Sequence, residues 1–332
     1  MRFKNKLLSF LFFTFFIIPI SVSAYSDKIV LGGNNVGIEV QTNGIMIVGF
    51  YKVNNSYIGR DAGLELGDKI IKVNNQEINS INDMINKIND GIGDNKVKLS
   101  VLRGNKSFDT DLKLFKDDNN IYKTGLYVKD QISGIGTLTY IDPETNIFGA
   151  LGHEIVESSS NIKVEVKSGK IFKSSVTGAT KSTKSSTGEK NAIFYEDEVY
   201  GKIFSNTING IFGRYTYHYD KDDLISVGTK NDVRLGEASI RTVLEGSKVE
   251  SFEINILKVN EKSDTKNILF EIVDKDLLNK TNGVIKGMSG SPIVQNGKII
   301  GAVTHAIVND NAKGYGIFIT TMLERGENEK DE

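Results

Sequence analysis

The sequence predicts a mainly β protein made of two successive domains. Three observations carry this. The chain has 332 residues, enough for about two domains. Glycine is abundant (33) while proline (3) and tryptophan (0) are scarce, so glycine supplies the turns. Short runs rich in valine, isoleucine, threonine and phenylalanine recur between those turns, and no long amphipathic helix appears before the end of the chain. Charge is balanced, 41 basic against 42 acidic residues, which lacks the footprint of a nucleic-acid binder. With no cysteine, thiol nucleophiles and thiolate metal sites are excluded, and His153, His218 and His305 are not in metal-ligand spacing. No metal or cofactor is expected.

Residues 1–24 come first. A basic start is followed by the apolar run Leu7 to Ile20 and the small residues Val22-Ser23-Ala24. That pattern predicts an export signal, or an uncleaved anchor, since Leu7 to Ala24 can just span a bilayer at ~1.5 Å per residue. Either way the rest of the chain is expected outside the cytosol. An exported chain without disulfides must rely on sizeable cores in each domain.

The next elements are read over residues 25–118. Val36 to Val40 and Gly44 to Val48 read as strands, and Asp61 to Leu66 as a short helical turn. A Gly-Asp turn at Gly67-Asp68 then leads into a strand at Lys69 to Ile71. Ser80 and Asp83 form a capping pair opening a helix, with Ile81, Met84, Ile85 and Ile88 on one face. Val97 to Leu102 and Phe108 to Leu114 alternate as closing strands. The run Asp61-Ala62-Gly63-Leu64-Glu65-Leu66-Gly67-Asp68, continuing through Ile70 to Val73-Asn74, resembles a PDZ domain. The resemblance implies that an extended peptide adds as a strand beside Ile38 to Gln41. Its terminal carboxylate would meet the N–H groups of Val36, Gly37 and Ile38. A groove left unused, or filled by the chain itself, is the alternative.

From about residue 122 to 326 the chain reads as many short strands, suited to a pair of β-barrels or a large sandwich. Within it Gly287-Met288-Ser289-Gly290-Ser291-Pro292 precedes two apolar strands joined by the turn Asn296-Gly297. Trypsin-like nucleophiles are presented in such turns, and the N–H groups of Gly287 and Ser289 would form an oxyanion hole. A serine needs a base. His153, after the small-residue strand Gly149 to Gly152, is favoured over His305, which lies close in sequence and beyond the hydroxyl, and over His218 among tyrosines. Asp142, Asp274 and Asp276 are the candidate acids, Asp276 reading as solvated. The order His153, Asp274, Ser289 matches the chymotrypsin order. Lys167 to Lys190 reads as a solvated hairpin and 327–332 as a frayed acidic tail.

Gly149 to His153, Gly210 to Gly213, Asn282 to Pro292 and Gly301 to Gly316 together closely resemble the SpoIVB peptidases, serine peptidases of sporulation signalling. The resemblance implies a chymotrypsin-like double β-barrel behind the PDZ domain. It also implies Ser289 as nucleophile, His153 as base, Asp274 as acid and a supporting role for Thr304. Ser291 becomes a turn residue. Lys286, where the family often has glutamine, raises a Ser-Lys dyad, which is discounted because the lysine would have to curl back on a tight turn. The implied protein is secreted from the forespore into the space between the two sporulation membranes. It cleaves itself and then a membrane-bound regulator of sigma-factor processing. A non-catalytic PDZ adaptor is the other reading.

Overall fold

The computed structural model describes residues 25–91, 94–220 and 224–329. The expected export segment, 1–24, lies outside them. No helix among the described residues is long and apolar enough to cross a membrane.

The chain opens with β1 (Lys28–Leu31) and the long strand β2 (Asn35–Phe50). A single helical turn α1 (Ile58–Asp61), strands β3 (Lys69–Val73) and β4 (Gln76–Glu77), helix α2 (Ile81–Asp90) and the hairpin of β5 (Lys96–Arg103) and β6 (Lys106–Lys113) follow. The second half of β2 pairs with β3 (Ile45 opposite Ile70), β3 with β5, and β5 with β6. Alternating apolar residues on these strands form one core with Met84 and Ile88 of α2. Ser80 caps α2 by accepting from the Asp83 N–H at 3.1 Å. Ile85, expected on the packed face, is exposed instead, because the helix turns about 100° per residue and Met84 takes the inward position.

Next come β7 (Leu126–Ile141), β8 (Ile147–Ala150), β9 (Val166–Thr180), β10 (Glu189–Thr207) and β11 (Gly210–Tyr215). With the first half of β2 they close a six-stranded barrel, in the order β2, β9, β10, β11, β8, β7 and back to β2. Val36, Ile38, Val40, Leu138, Phe148, Ile171 and Ile211 fill it.

A linking strand β12 (Leu224–Val227) precedes a second set: β13 (Gly236–Val243), β14 (Val249–Val259), β15 (Ile268–Ile272), helix α3 (Lys275–Thr281), β16 (Pro292–Gln295), β17 (Lys298–Ala306), β18 (Lys313–Phe318) and helix α4 (Ile319–Glu329). These strands also close, in the order β13, β14, β15, β18, β17, β16 and back to β13. Strand β12 joins the barrels, antiparallel to β1 and parallel to β17. A further apolar cluster at this seam receives Met322 and Leu323 of α4. The molecule is therefore mainly β, with a double barrel behind the first unit. Of the two architectures the strand pattern allowed, the sandwich is excluded by the closed pairings.

Three expectations are corrected. Strand β1 and residues 35–41 build the first barrel, so the unit drawn over 25–118 begins with barrel strands and divides from the barrel in the middle of β2. Val36, Gly37 and Ile38 form no open carboxylate loop. They lie inside a ladder, opposite Gly136, Ile135 and Gly134 on one side and Lys173, Phe172 and Ile171 on the other, with no room for a peptide beside them. Residues 327–329 are not frayed but end α4. Glu327 is buried and accepts from the Thr145 hydroxyl at 3.1 Å, because the apolar face of α4 docks on the seam.

Candidate active site

Ser289 lies in the turn between α3 and β16, at the edge of a cleft of about 1010 Å³ between the barrels. The turn is held from the first barrel. Thr137 donates its N–H to the Ser289 carbonyl (3.0 Å) and its hydroxyl to the Gly287 carbonyl (2.7 Å), and the Thr139 hydroxyl donates to the Gly290 carbonyl (2.8 Å). Gly290 has φ +91°, and a Cβ there would lie 2.1 Å from the Thr137 carbonyl oxygen, so glycine is required. The N–H groups of Met288, Gly290 and Ser291 are taken by the carbonyls of Ile285, Val303 and Met288. Those of Gly287 and Ser289 donate to no group among the described residues. Two free amides beside a hydroxyl are the donor set of an oxyanion hole.

His153 reaches the same cleft from the loop after β8. Its backbone approach depends on Gly152 (φ +69°), where a Cβ would press on the Thr304 methyl at 2.9 Å. The His153 Nδ1 lies 2.8 Å from the Glu154 carbonyl oxygen. A carbonyl only accepts, so Nδ1 carries the proton and Nε2 is left as the base. The Ser289 hydroxyl donates to the Thr304 carbonyl at 3.1 Å, and the buried Thr304 hydroxyl donates to the Tyr315 carbonyl at 3.1 Å.

The structure does not bring Asp274 to this pair. It is the N-cap of α3, and its carboxylate accepts the Leu277 N–H at 2.9 Å. Asp142 is buried elsewhere, holding the Ser26 N–H and hydroxyl at 2.9 and 2.7 Å. Asp276 is exposed on α3. The acids that line the cleft are Glu154 and Asp264. Ser291 is fully buried, so it cannot reach a substrate, and its hydroxyl oxygen has no partner among the described residues. Lys286 is exposed and the Ser289 hydroxyl bonds to Thr304 rather than to it. His218 is exposed beside a smaller cavity lined by tyrosines.

The family model described as SpoIVB peptidase S55 matches residues 120–323. The chain belongs to the SpoIVB peptidase S55 family. A PDZ domain model matches residues 35–114, which makes this S55 member a PDZ-containing serine peptidase. Similar solved structures include the PDZ domain of the SdrC-like protein from Listeria monocytogenes, 23% identical over 27% of this chain and 93% of that one, with a TM-score of 0.23. The Rv3671c protease from M. tuberculosis is similar in its active form (13% identical over 57% of this chain and 70% of that one, TM-score 0.31) and in its inactive form (13%, 59% and 83%, TM-score 0.30). No curated protein matches the chain.

Two features of this S55 peptidase were not read from its sequence. His305, placed beyond the hydroxyl by its position in the hairpin, lines the cleft with its ring 5.4 Å from that of His153. Burial, the neighbouring His153 and Lys266 hold it down to about 4, and its Nδ1 is buried without a partner among the described residues. Burial also lowers His153, which favours its neutral ring. The second is Lys190, read as solvated but buried under the Ser289 turn. Its stem packs on Gly287, and its ammonium donates to the Thr242 hydroxyl at 2.8 Å and towards the Asn35 amide oxygen at 3.4 Å. Burial lowers it to about 7. Hydrophilic composition around a single lysine gives no sign of such a site. Among the described residues no group of three His, Asp or Glu could hold a metal ion.

Proposed function

We propose that Ser289 and His153 form the hydrolytic pair of an exported endopeptidase. The observation that carries this is one cleft holding the Ser289 hydroxyl, the His153 ring and the two unpartnered N–H groups of Gly287 and Ser289. His153 Nε2 takes the hydroxyl proton as Ser289 Oγ bonds to the peptide carbonyl carbon, and the oxyanion is held by the two N–H groups. The tetrahedral species collapses by breaking its C–N bond, and His153 returns the proton to the leaving amine. Water, deprotonated by the same ring, then releases the acyl group. The Glu154 carbonyl orients the ring in place of a carboxylate, and the supporting role of Thr304 is to hold the hydroxyl in the resting site. In purified full-length protein, Ser289→Ala and His153→Ala are each expected to lose about 10⁴–10⁶ in turnover of a random-sequence decapeptide library read by mass spectrometry. Turnover by Ser289→Ala at the wild-type rate would refute the pair.

Family membership and the apolar stretch within residues 1–24 support the wider reading. The peptidase crosses the forespore membrane into the intermembrane space, cleaves itself, and cleaves a membrane-bound regulator of sigma-factor processing. Mixing active enzyme with Ser289→Ala protein tests the self-cleavage: the inactive chain is expected to be cut. The Ser289 hydroxyl resting on Thr304 rather than on His153 favours a second reading, the non-catalytic adaptor, which predicts no turnover by the wild type.

A further inference from the structure

Strand β7 serves both units, and its two edges have different fates. From Gln131 to Thr137 one edge is paired throughout with β2, Gln41 opposite Gln131 and Asn35 opposite Thr137. Leu138 donates its N–H to Asn34 on that side, while Thr137 points away, its N–H on the Ser289 carbonyl and its carbonyl accepting from Leu151. A strand alternates direction at every residue, so Ile135, Ser133 and Gln131 turn N–H and C=O the same way as Thr137. None of these groups has a backbone partner among the described residues, and all three residues line the cleft that holds Ser289 and His153. An open edge spanning about 13 Å at ~3.3 Å per residue is a template for an added strand.

The other end of β7 closes a strand edge of the PDZ unit. Lys129 to Leu126 pair along Met46 to Phe50, the strand edge of that unit. Leu126 is buried in the unit's core. Asp130 accepts the Ile81 N–H at the start of α2 at 2.8 Å. The unit therefore grips the outer end of the same strand whose inner end touches the nucleophile turn.

We infer that the open edge of β7 from Gln131 to Ile135 binds the substrate as an added strand, with the PDZ unit anchoring that edge rather than capturing a separate chain terminus. The edge takes the segment C-terminal to the scissile bond. His153 must face the leaving amine to protonate it, and the His153 loop lies on the β7 side of Ser289, joined to Thr137 through Leu151. The acyl side faces Thr304. This rests on the hydrolytic reading above.

Proline at Ser133 tests it, because that N–H makes no bond to β2. The substitution removes an outward donor and projects a ring into the added strand's place while sparing the β2 ladder. In full-length Ser133→Pro, kcat/KM for the decapeptide library divided by that for p-nitrophenyl acetate is expected to fall at least about tenfold. An unchanged ratio overturns the proposal. Should the variant fail to fold, amide exchange in full-length Ser289→Ala decides. The N–H groups of Gln131, Ser133 and Ile135 are expected to slow when the library is added, and unaltered exchange overturns the proposal. Labelling of wild-type Ser289 by a fluorophosphonate separates the two readings. Labelling with an unchanged ratio overturns the strand proposal alone, and absence of labelling overturns both.

Discussion

At Ser289 the chemistry is local. Glycines at 287 and 290 give the turn its positive φ angles, and the hydroxyl emerges beside two unpartnered N–H groups. In the proposed pair His153 is the base, and its lowered pKa sets a pH dependence. A base must be neutral to accept a proton, so activity rises with pH through the pKa of the ring. Burial disfavours the charged ring, so the acid limb of kcat/KM is expected to have its midpoint below 6.5, the unperturbed value. A pH–rate profile checks this, and a midpoint above 6.5 would mean that a carboxylate stabilises the imidazolium. Ser289 and His153 were legible because short polar motifs at strand ends announce themselves. His305 was not, since proximity in sequence says nothing about which face of β17 a ring takes or that it stacks 5.4 Å from His153.

Among the elements, α3 decides what Asp274 does. The run Asp274-Lys275-Asp276-Leu277 carries an N-cap signal that went unread beside the expected catalytic order, and the carboxylate is spent on the Leu277 N–H. Asparagine caps as well as aspartate, so Asp274→Asn separates charge from fold. Stability is expected to stay within about 0.5 kcal/mol of wild type, while Asp274→Ala loses about 1 kcal/mol in urea unfolding. kcat/KM of Asp274→Asn is expected within about tenfold of wild type, and a loss near 10⁴ would return the carboxylate to the catalytic machinery. Strands β2 and β7 show a different limit of the sequence. Period-two alternation identifies both as strands but carries no record of partners. The two strands read at Val36 to Val40 and Gly44 to Val48 are one strand, with an irregularity between them, that passes from barrel to PDZ unit.

For the whole molecule, the site exists only where the barrels meet. The first barrel supplies His153 and the threonines that hold the Ser289 turn, and the second supplies Ser289. Mainly β content and two domains followed from composition and motifs. Closure into barrels depends on pairings between residues a hundred or more apart, such as Val36 with Gly136 and Lys173. Lys190 lies at this junction, between Asn35 of the first barrel and Thr242 of the second. In the unfolded chain its amine holds a proton up to about 10.5, but in the folded chain only to about 7. Between those values the unfolded state binds more protons, so this residue's contribution makes stability rise with pH. Relative to Lys190→Met, wild-type stability is expected to gain on the order of a few kcal/mol from pH 7 to 10 in urea titrations. Parallel pH curves for the two proteins would mean that the amine is solvated.

The central claim, that Ser289 is an activated nucleophile, is met most directly by treating the full-length protein with a fluorophosphonate and mapping the adduct by mass spectrometry. The account predicts a single adduct on Ser289, lost in His153→Ala and absent from Ser291. An unlabelled wild-type chain, or an adduct carried on another serine, would contradict it.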